Sequence, residues 1–237
     1  MTRLANALRL ELILQVRQRF LHAAVFSGLI WLAVLLPLSP GLRRVAEPYV
    51  LLGDTCIIGF FFVAGTVFFE KQERTLGALI STPLRFWEYL TAKVTPLVSI
   101  SLFIAVVVPT ISHGLGYQLF PLAMGTVLGT LLMLLVGFTT SLPFASISDW
   151  FLAATIPLAV LTVPPVLFFS DVWVNALVYL VPTQGALLLL GTAFDQVSLA
   201  PWQMAYSVAY PLLWVALLSY VARRVFTRQV IAQSGGM

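Results

Sequence analysis

Long apolar runs of nearly equal length, parted by short polar breaks, set the rhythm of this chain. A helix rises about 1.5 Å per residue, so about 20 apolar residues cross a hydrocarbon core of about 30 Å. On that ruler the sequence predicts spans near residues 21–38, 48–69, 89–112, 119–142, 150–169 and 202–221. The breaks read as turns. Pro37 to Gly41 ends the first run, and Arg43, Arg44 and Glu47 are read as a short loop. His113 to Gly116 turns the third run, and Pro143 with Ser146 to Asp149 links the fourth to the fifth. Residues 1–20 alternate charge and apolarity instead. Glu11, Gln15, Gln18 and His22 fall on one helical face, with Leu4, Leu8, Leu12, Ile13 and Phe20 filling much of the rest. With Arg3, Arg9, Arg17 and Arg19 added, this pattern predicts a basic amphipathic helix at the membrane interface.

Residues 171–200 are apolar but interrupted by Asn175, Pro182, Thr183, Gln184 and Gly185. Parity decides how to read them. With six spans both termini share one side, which then holds 11 of the 13 basic residues and leaves only Arg43 and Arg44 opposite. A seventh span would move Arg223, Arg224 and Arg228 outside, against the positive-inside rule. The expectation is therefore that 171–200 forms broken helices on the outer side, with both termini cytoplasmic.

Composition supports a membrane class. The 237 residues are 60% hydrophobic and 9% charged, with a mean hydropathy of +0.98, whereas soluble domains carry about 25% charge. The net charge of +4 is then a topological signal, not a nucleic-acid footprint. The single cysteine, Cys56, allows no internal disulfide. The chain has no Gly-x-x-x-x-Gly-Lys-[Ser/Thr] loop for nucleotide phosphates and no Cys/His cluster for a metal. Its histidines, His22 and His113, fall near opposite membrane faces, so a nucleophile–base pair at mid-membrane depth is not expected.

Charge is dense only from Phe68 to Lys93, where Glu70, Glu73 and Glu88 accompany Lys71, Arg74, Arg85 and Lys93. Within it Leu76, Leu79 and Ile80 share a helical face, and Pro83 ends the turn because it lacks a backbone donor and disfavours helix before it. A short helix over 74–83 docking into a partner cleft and an ordinary solvated loop both satisfy these residues. Asp54 is the sharpest single position, because an intramembrane carboxylate is costly. It either contacts cationic or zwitterionic cargo, or a proton, along a pathway, or caps or bonds the broken outer helices. Phe60, Phe61 and Phe62 supply either lipid-facing packing or stacking surface for planar cargo. Trp150, Trp173 and Trp202 fall at span ends, where interfacial aromatics are expected.

The run Glu70-Lys-Gln-Glu73-Arg74-Thr75-Leu76-Gly-Ala-Leu79-Ile80-Ser-Thr-Pro83, followed by Glu88 and Lys93, resembles the coupling-helix signature of type-2 ABC exporter permeases. Together with Gly53-Asp54, Gly59 to Gly65 and Tyr179 to Gln184, the chain is similar to the branch of fluoroquinolone-export permeases. Where that family usually has glycine before the threonine, this sequence has Arg74. The resemblance implies an all-α permease of one transmembrane domain over 1–237. Its six spans would be joined by the interfacial helix 1–20, a cytoplasmic coupling helix 74–83 and outer-side broken helices 171–200. It also implies a subunit without its own ATPase site, in a prokaryotic plasma membrane. Two copies of a separate ATPase would bind ATP and Mg, a second permease copy would complete a dimer, and lipid would surround it. Glu70, Glu73, Arg74, Thr75, Leu76, Leu79, Ile80 and Pro83 would couple to the ATPase, with Asp54, Phe61, Phe62 and Gln184 as pathway candidates. The cargo would be a small amphiphilic compound such as a drug. A peptide, haem or lipid-like cargo, or a non-transporting scaffold or sensor, are the other readings.

Overall fold

The structure is a computed structural model that describes residues 3–73 and 85–234, with side chains to 228. All regular elements among the described residues are helical. In chain order they are α1 (Arg3–Arg17), α2 (Phe20–Leu35), α3 (Pro40–Gln72), α4 (Phe86–Ser112), α5 (Leu119–Ser141) and α6 (Ile147–Phe169), then a short 3-10 turn (Ala176–Leu180), α7 (Thr183–Ala193) and α8 (Pro201–Ser234). Five of them, α3, α4, α5, α6 and α8, are long and apolar enough to cross a membrane alone, and the bent pair α1 and α2 makes a sixth when counted as one broken span. The chain is an all-α, multi-pass membrane protein.

The N-terminal pair bends by 62° at Arg19, whose φ of 62° is left-handed and interrupts the helix. The sides of α1 are the reverse of a surface helix. Glu11 and Gln15 are buried while Leu10, Leu12, Ile13 and Val16 are exposed. The polar stripe faces the protein, chiefly α4, and the leucines face outward as they would toward hydrocarbon.

The expected loop at Arg43 to Glu47 is instead the first turns of α3. Ser39 is extended and Pro40 takes the first helical position, where proline's missing donor costs nothing. Arg43 turns back into the protein. Its Nε donates to Leu35 O at 3.1 Å and its Nη2 to Leu36 O at 2.8 Å and Leu38 O at 3.1 Å, while Nη1 donates to Ser112 O. The last carbonyls of a helix have no intrahelical partner, so one guanidinium caps the ends of both α2 and α4. Beside it Glu47, fully buried, accepts from Ser112 Oγ at 2.7 Å and lies 3.4 Å from His113 Nδ1. Arg43→Ala is expected to lower the melting temperature in detergent by the equivalent of about 2–3 kcal/mol, the scale of charged hydrogen bonds. Exposed Arg44→Ala should be nearly silent, and equal melting of the two variants would refute the capping role.

At the centre, α5 packs against α3, α7 and α8. Opposite it α3 adopts a π-helical segment, Cys56–Phe62, which apolar periodicity does not reveal. The two backbones nearly touch there. A Cβ on Gly59 would lie 2.7 Å from Met133 Cβ, and one on Gly137 would lie 3.0 Å from Phe60 Cα. Small residues allow such approach between spans.

The segment 171–200 contains the 3-10 turn and α7. At 11 residues α7 is about 17 Å long, too short to cross. It is buried along its length, as irregular chain at membrane depth must be. Thr183 Oγ1 donates to Leu161 O on α6. Pro165, four residues on, has no N–H for that carbonyl, so the threonine takes its place. Trp173 and Trp202 are exposed, but Trp150 is 1% exposed. It stacks on Phe60 at 5.3 Å and donates to Thr140 Oγ1, so it is a core residue and not an interfacial anchor.

Candidate coupling site and cargo surfaces

The charged stretch begins inside the protein. Lys93 Nζ, fully buried, lies 2.7 Å from Glu70 Oε1, 3.2 Å from Thr66 Oγ1 and 3.4 Å from Glu11 Oε1. Tyr89 donates its hydroxyl to Glu70 Oε2 at 2.6 Å, and the Lys93 ammonium sits 5.3 Å from the Tyr89 ring centroid. Three helices meet in this cluster: α1 through Glu11, the end of α3 through Thr66 and Glu70, and the start of α4 through Tyr89 and Lys93. Helical spacing explains the sharing. Thr66 and Glu70 are four apart, as are Tyr89 and Lys93, so each pair lies on one face.

The next residue is fixed as well. Lys71 Nζ donates to Ser141 O at 2.9 Å, Leu142 O at 2.6 Å and Phe144 O at 2.7 Å, which caps α5 with a cation at the negative end of its dipole. Beyond it Glu73 is exposed. On the return, the Arg85 N–H donates to Glu88 Oε2 at 2.8 Å and starts α4. Glu70 therefore stands inside the fold, not on a docking face, and Lys93 is its counter-ion. Arg74, Thr75, Leu76, Leu79, Ile80 and Pro83 lie outside the described residues.

The pathway candidates are not brought together. Asp54, 1% exposed, accepts from Ser27 Oγ at 3.0 Å and Trp31 Nε1 at 3.2 Å, so its partners are on α2 and not on the outer broken helices. Phe62 packs on Phe20 at 5.3 Å, whereas Phe61 turns the other way, to Trp150 and Phe151. Gln184 is fully buried near the start of α7, and its side-chain amide has no hydrogen-bond partner among the described residues.

One surface escaped the sequence reading. Tyr206 and Tyr210 stack at 5.2 Å, and Trp214 follows edge-on at 6.4 Å. Tyr179 meets Tyr206 at 5.1 Å. The hydroxyls hold the outer segment, with Tyr206 donating to Tyr179 O at 2.7 Å and Tyr210 to Leu180 O at 2.8 Å. Tyr206, Tyr210 and Trp214 remain half-exposed. The signal was present, since Trp202, Tyr206, Tyr210 and Trp214 recur every fourth residue of one helix.

Residues 2–234 match the fluoroquinolones export permease protein family. The chain belongs to that family. Two fluoroquinolones export permease proteins from two strains of Mycobacterium tuberculosis are each 70% identical to it over 235 residues, covering 99% of this chain and 99% of theirs. No solved structure matches it. Membership accords with the resemblance carried by residues 70–93 and 179–184, and it makes the membrane bundle that of a permease.

Proposed function

We propose that this chain is the membrane subunit of an ATP-driven exporter of planar, amphiphilic drugs, fluoroquinolones among them. What carries the reading is the 70% identity over nearly full length to fluoroquinolones export permease proteins. The motor is a separate ATPase, two copies of which hold ATP and Mg and receive residues 74–83. The ends of that segment are suited to the task. Glu70 is tied to α4, and through Lys93 to Glu11 of α1, and Lys71 is tied to α5, so a push on the segment reaches these helices as well as α3. ATP can drive motion only if the motor binds one arrangement of the bundle better than another.

Two permease copies flank the pathway, with both termini on the cytoplasmic face of a prokaryotic plasma membrane. The least buried spans, α6 and α8, offer surface for a second copy and for lipid. The Tyr206, Tyr210 and Trp214 stripe on α8 matches planar aromatic cargo better than Phe61 and Phe62 do, because its three rings are neighbours on one half-exposed stripe whereas Phe61 and Phe62 turn to different partners, and aromatic pairs add about 0.5–1.5 kcal/mol each.

The test is uptake of a fluoroquinolone into inverted vesicles holding the permease and an ATPase subunit. ATP-dependent uptake is expected, and Tyr210→Ala with Trp214→Ala should lower it several-fold while the ATPase still co-purifies. Uptake that ignores ATP, or ATPase stimulation by peptides or haem but not by the drug, would sink the proposal.

A further inference from the structure

A second buried acid lies at the other end of α3 from Glu70, about 35 Å away at a rise of about 1.5 Å per residue, and the proposed function does not use it. Glu47 is fully buried. Its Oε1 accepts from Ser112 Oγ at 2.7 Å. Its Oε2 has no hydrogen bond among the described residues, yet His113 Nδ1 stands 3.4 Å away. Among the described residues, no other basic side chain places a nitrogen within 4 Å of this carboxylate.

The charged neighbours do not take the place of His113. Arg43, one turn back on α3, commits its N–H groups to the carbonyls of Leu35, Leu36, Leu38 and Ser112, and Arg44 is exposed. At the end of α7, Phe194 meets the imidazole edge-on at 6.0 Å. Asp195 beside it is exposed and accepts from Gln118 Nε2 at 2.7 Å. Tyr117, in the turn after His113, shares its hydroxyl with Thr110 at 2.8 Å. A buried carboxylate costs free energy unless a cation meets it. Imidazole is the side chain that changes charge between about pH 5 and 8, and 12% of the His113 side chain is exposed, which gives protons a way in. A protonated ring compensates the buried charge. A neutral ring can still donate one N–H but brings no charge.

We infer that Glu47 and His113 form a proton-binding pair that acts as an acid-set clamp on this end of the bundle. With the proton bound, the ion pair fastens the start of α3 to the end of α4. The return of segment 171–200 is held at the same corner, by Phe194 against His113, by Gln118 N donating to Ala193 O at 2.8 Å and by Gln196 Nε2 donating to Arg44 O. As pH rises the ring loses its charge and the carboxylate loses its cation. The stabilisation is therefore present at acid pH and is lost toward alkaline pH. The pair does not depend on the proposed function. That the clamp faces the exterior, and so answers to the pH outside the cell, rests on the topology proposed there.

Thermal unfolding of the full-length protein in detergent at about pH 5 and about pH 8, the ends of the imidazole range, provides the test. Glu47→Gln keeps an acceptor for Ser112. At the acid end Glu47→Gln and His113→Gln should each melt about 3 °C or more below the natural chain. The double variant should melt no lower than either alone, because the two residues share one interaction. At the alkaline end Glu47→Gln should be neutral or stabilising, since it removes a buried charge without a cation. A nitroxide on Ser198→Cys, in a Cys56→Ser chain, reads the clamp. It should be more mobile at the alkaline end than at the acid end, and indifferent to pH once Glu47→Gln or His113→Gln is added. Additive losses in the double variant, or a Glu47→Gln loss as large at the alkaline end as at the acid end, would overturn the pair. A label whose mobility ignores pH would overturn the clamp. Neither measurement involves drug or ATPase, so a failure of ATP-driven uptake bears on the proposed function alone.

Discussion

Replacing Lys93 with methionine is expected to destabilise the protein by about 3–5 kcal/mol, the cost of breaking a buried ion pair by removing one member. The Lys93 ammonium lies 3.4 Å from Glu11 and 2.7 Å from Glu70, and all three side chains are at least nine-tenths buried. Without it, two carboxylates share an interior pocket from which the cation between them has gone. The immediate loss should appear as a lower melting temperature in detergent and faster proteolysis near Glu11, because α1 is held to α4 partly through this ion pair. Removing the acids together with the base tests the cause. Lys93→Met combined with Glu11→Gln and Glu70→Gln should recover most of the lost stability, since neutral groups of similar volume often replace a buried ion network at little cost. If Lys93→Met melts as the natural protein does, the cluster does not hold the fold. If the triple variant is stable yet ATP-driven uptake falls, the cluster transmits force as well as holding the fold, as the proposed coupling route requires.

This cluster also marks where sequence reading and structure part. The alternation of apolar and polar stretches located five of the spans to within a few residues at most ends, because a membrane span must satisfy its backbone internally and so declares itself by length and apolarity. The same pattern left Glu70 just past one span and Lys93 inside the next, with nothing to pair them. Charge density in a sequence does not reveal whether opposite charges will meet, and the pairing here joins residues 82 apart in the chain at Glu11 and Lys93. Arg43 misled for a related reason: its four acceptors are backbone carbonyls, which no residue type advertises. α8 continues past the expected end at 221 to Ser234, carrying Arg223, Arg224 and Arg228 on a helix. There polarity marked the edge of the apolar run and not the end of the helix.

The candidate cargo residues show the same limit. Asp54 was legible as unusual, yet its role depends on Ser27 and Trp31 of α2, whose donors point at it only once the two helices are packed. The aromatic row on α8 had a readable four-residue period but competed with many other aromatics in an apolar chain. What singles it out is three-dimensional: Tyr206 stacks on Tyr210, Trp214 follows edge-on, and none is enclosed by the core, unlike Phe60, which is fully buried against Trp150.

Introducing a side chain at Gly137 should have an effect as large as that of the Lys93 change, by the opposite physical route. Gly137→Val is expected to destabilise by about 3 kcal/mol or more, the upper end of overpacking costs. A Cβ there would meet not a flexible side chain but the Phe60 backbone, with Cα at 3.0 Å, and Val63 Cγ1 at 3.0 Å. The clash falls on the π-helical segment Cys56–Phe62, where the ordinary helical ladder is already interrupted, so the backbone cannot yield without separating α3 from α5. That separation would carry Phe60 away from Trp150 and loosen the contact of α5 with α6. A control is available on the same chain: a Cβ added to Gly41 would meet no heavy atom within 4 Å, so Gly41→Val should leave packing unchanged. Thermal unfolding of the two variants in detergent provides the comparison, and a Gly137→Val protein as stable as Gly41→Val would show that α3 and α5 do not meet at this register. Because π-helical turns sit often at functional positions, the same pair of variants also asks whether the contact matters to transport. Conservative Gly137→Ala, with a smaller intrusion, should retain assembly with the ATPase yet slow drug uptake if α3 and α5 must slide against each other during the cycle.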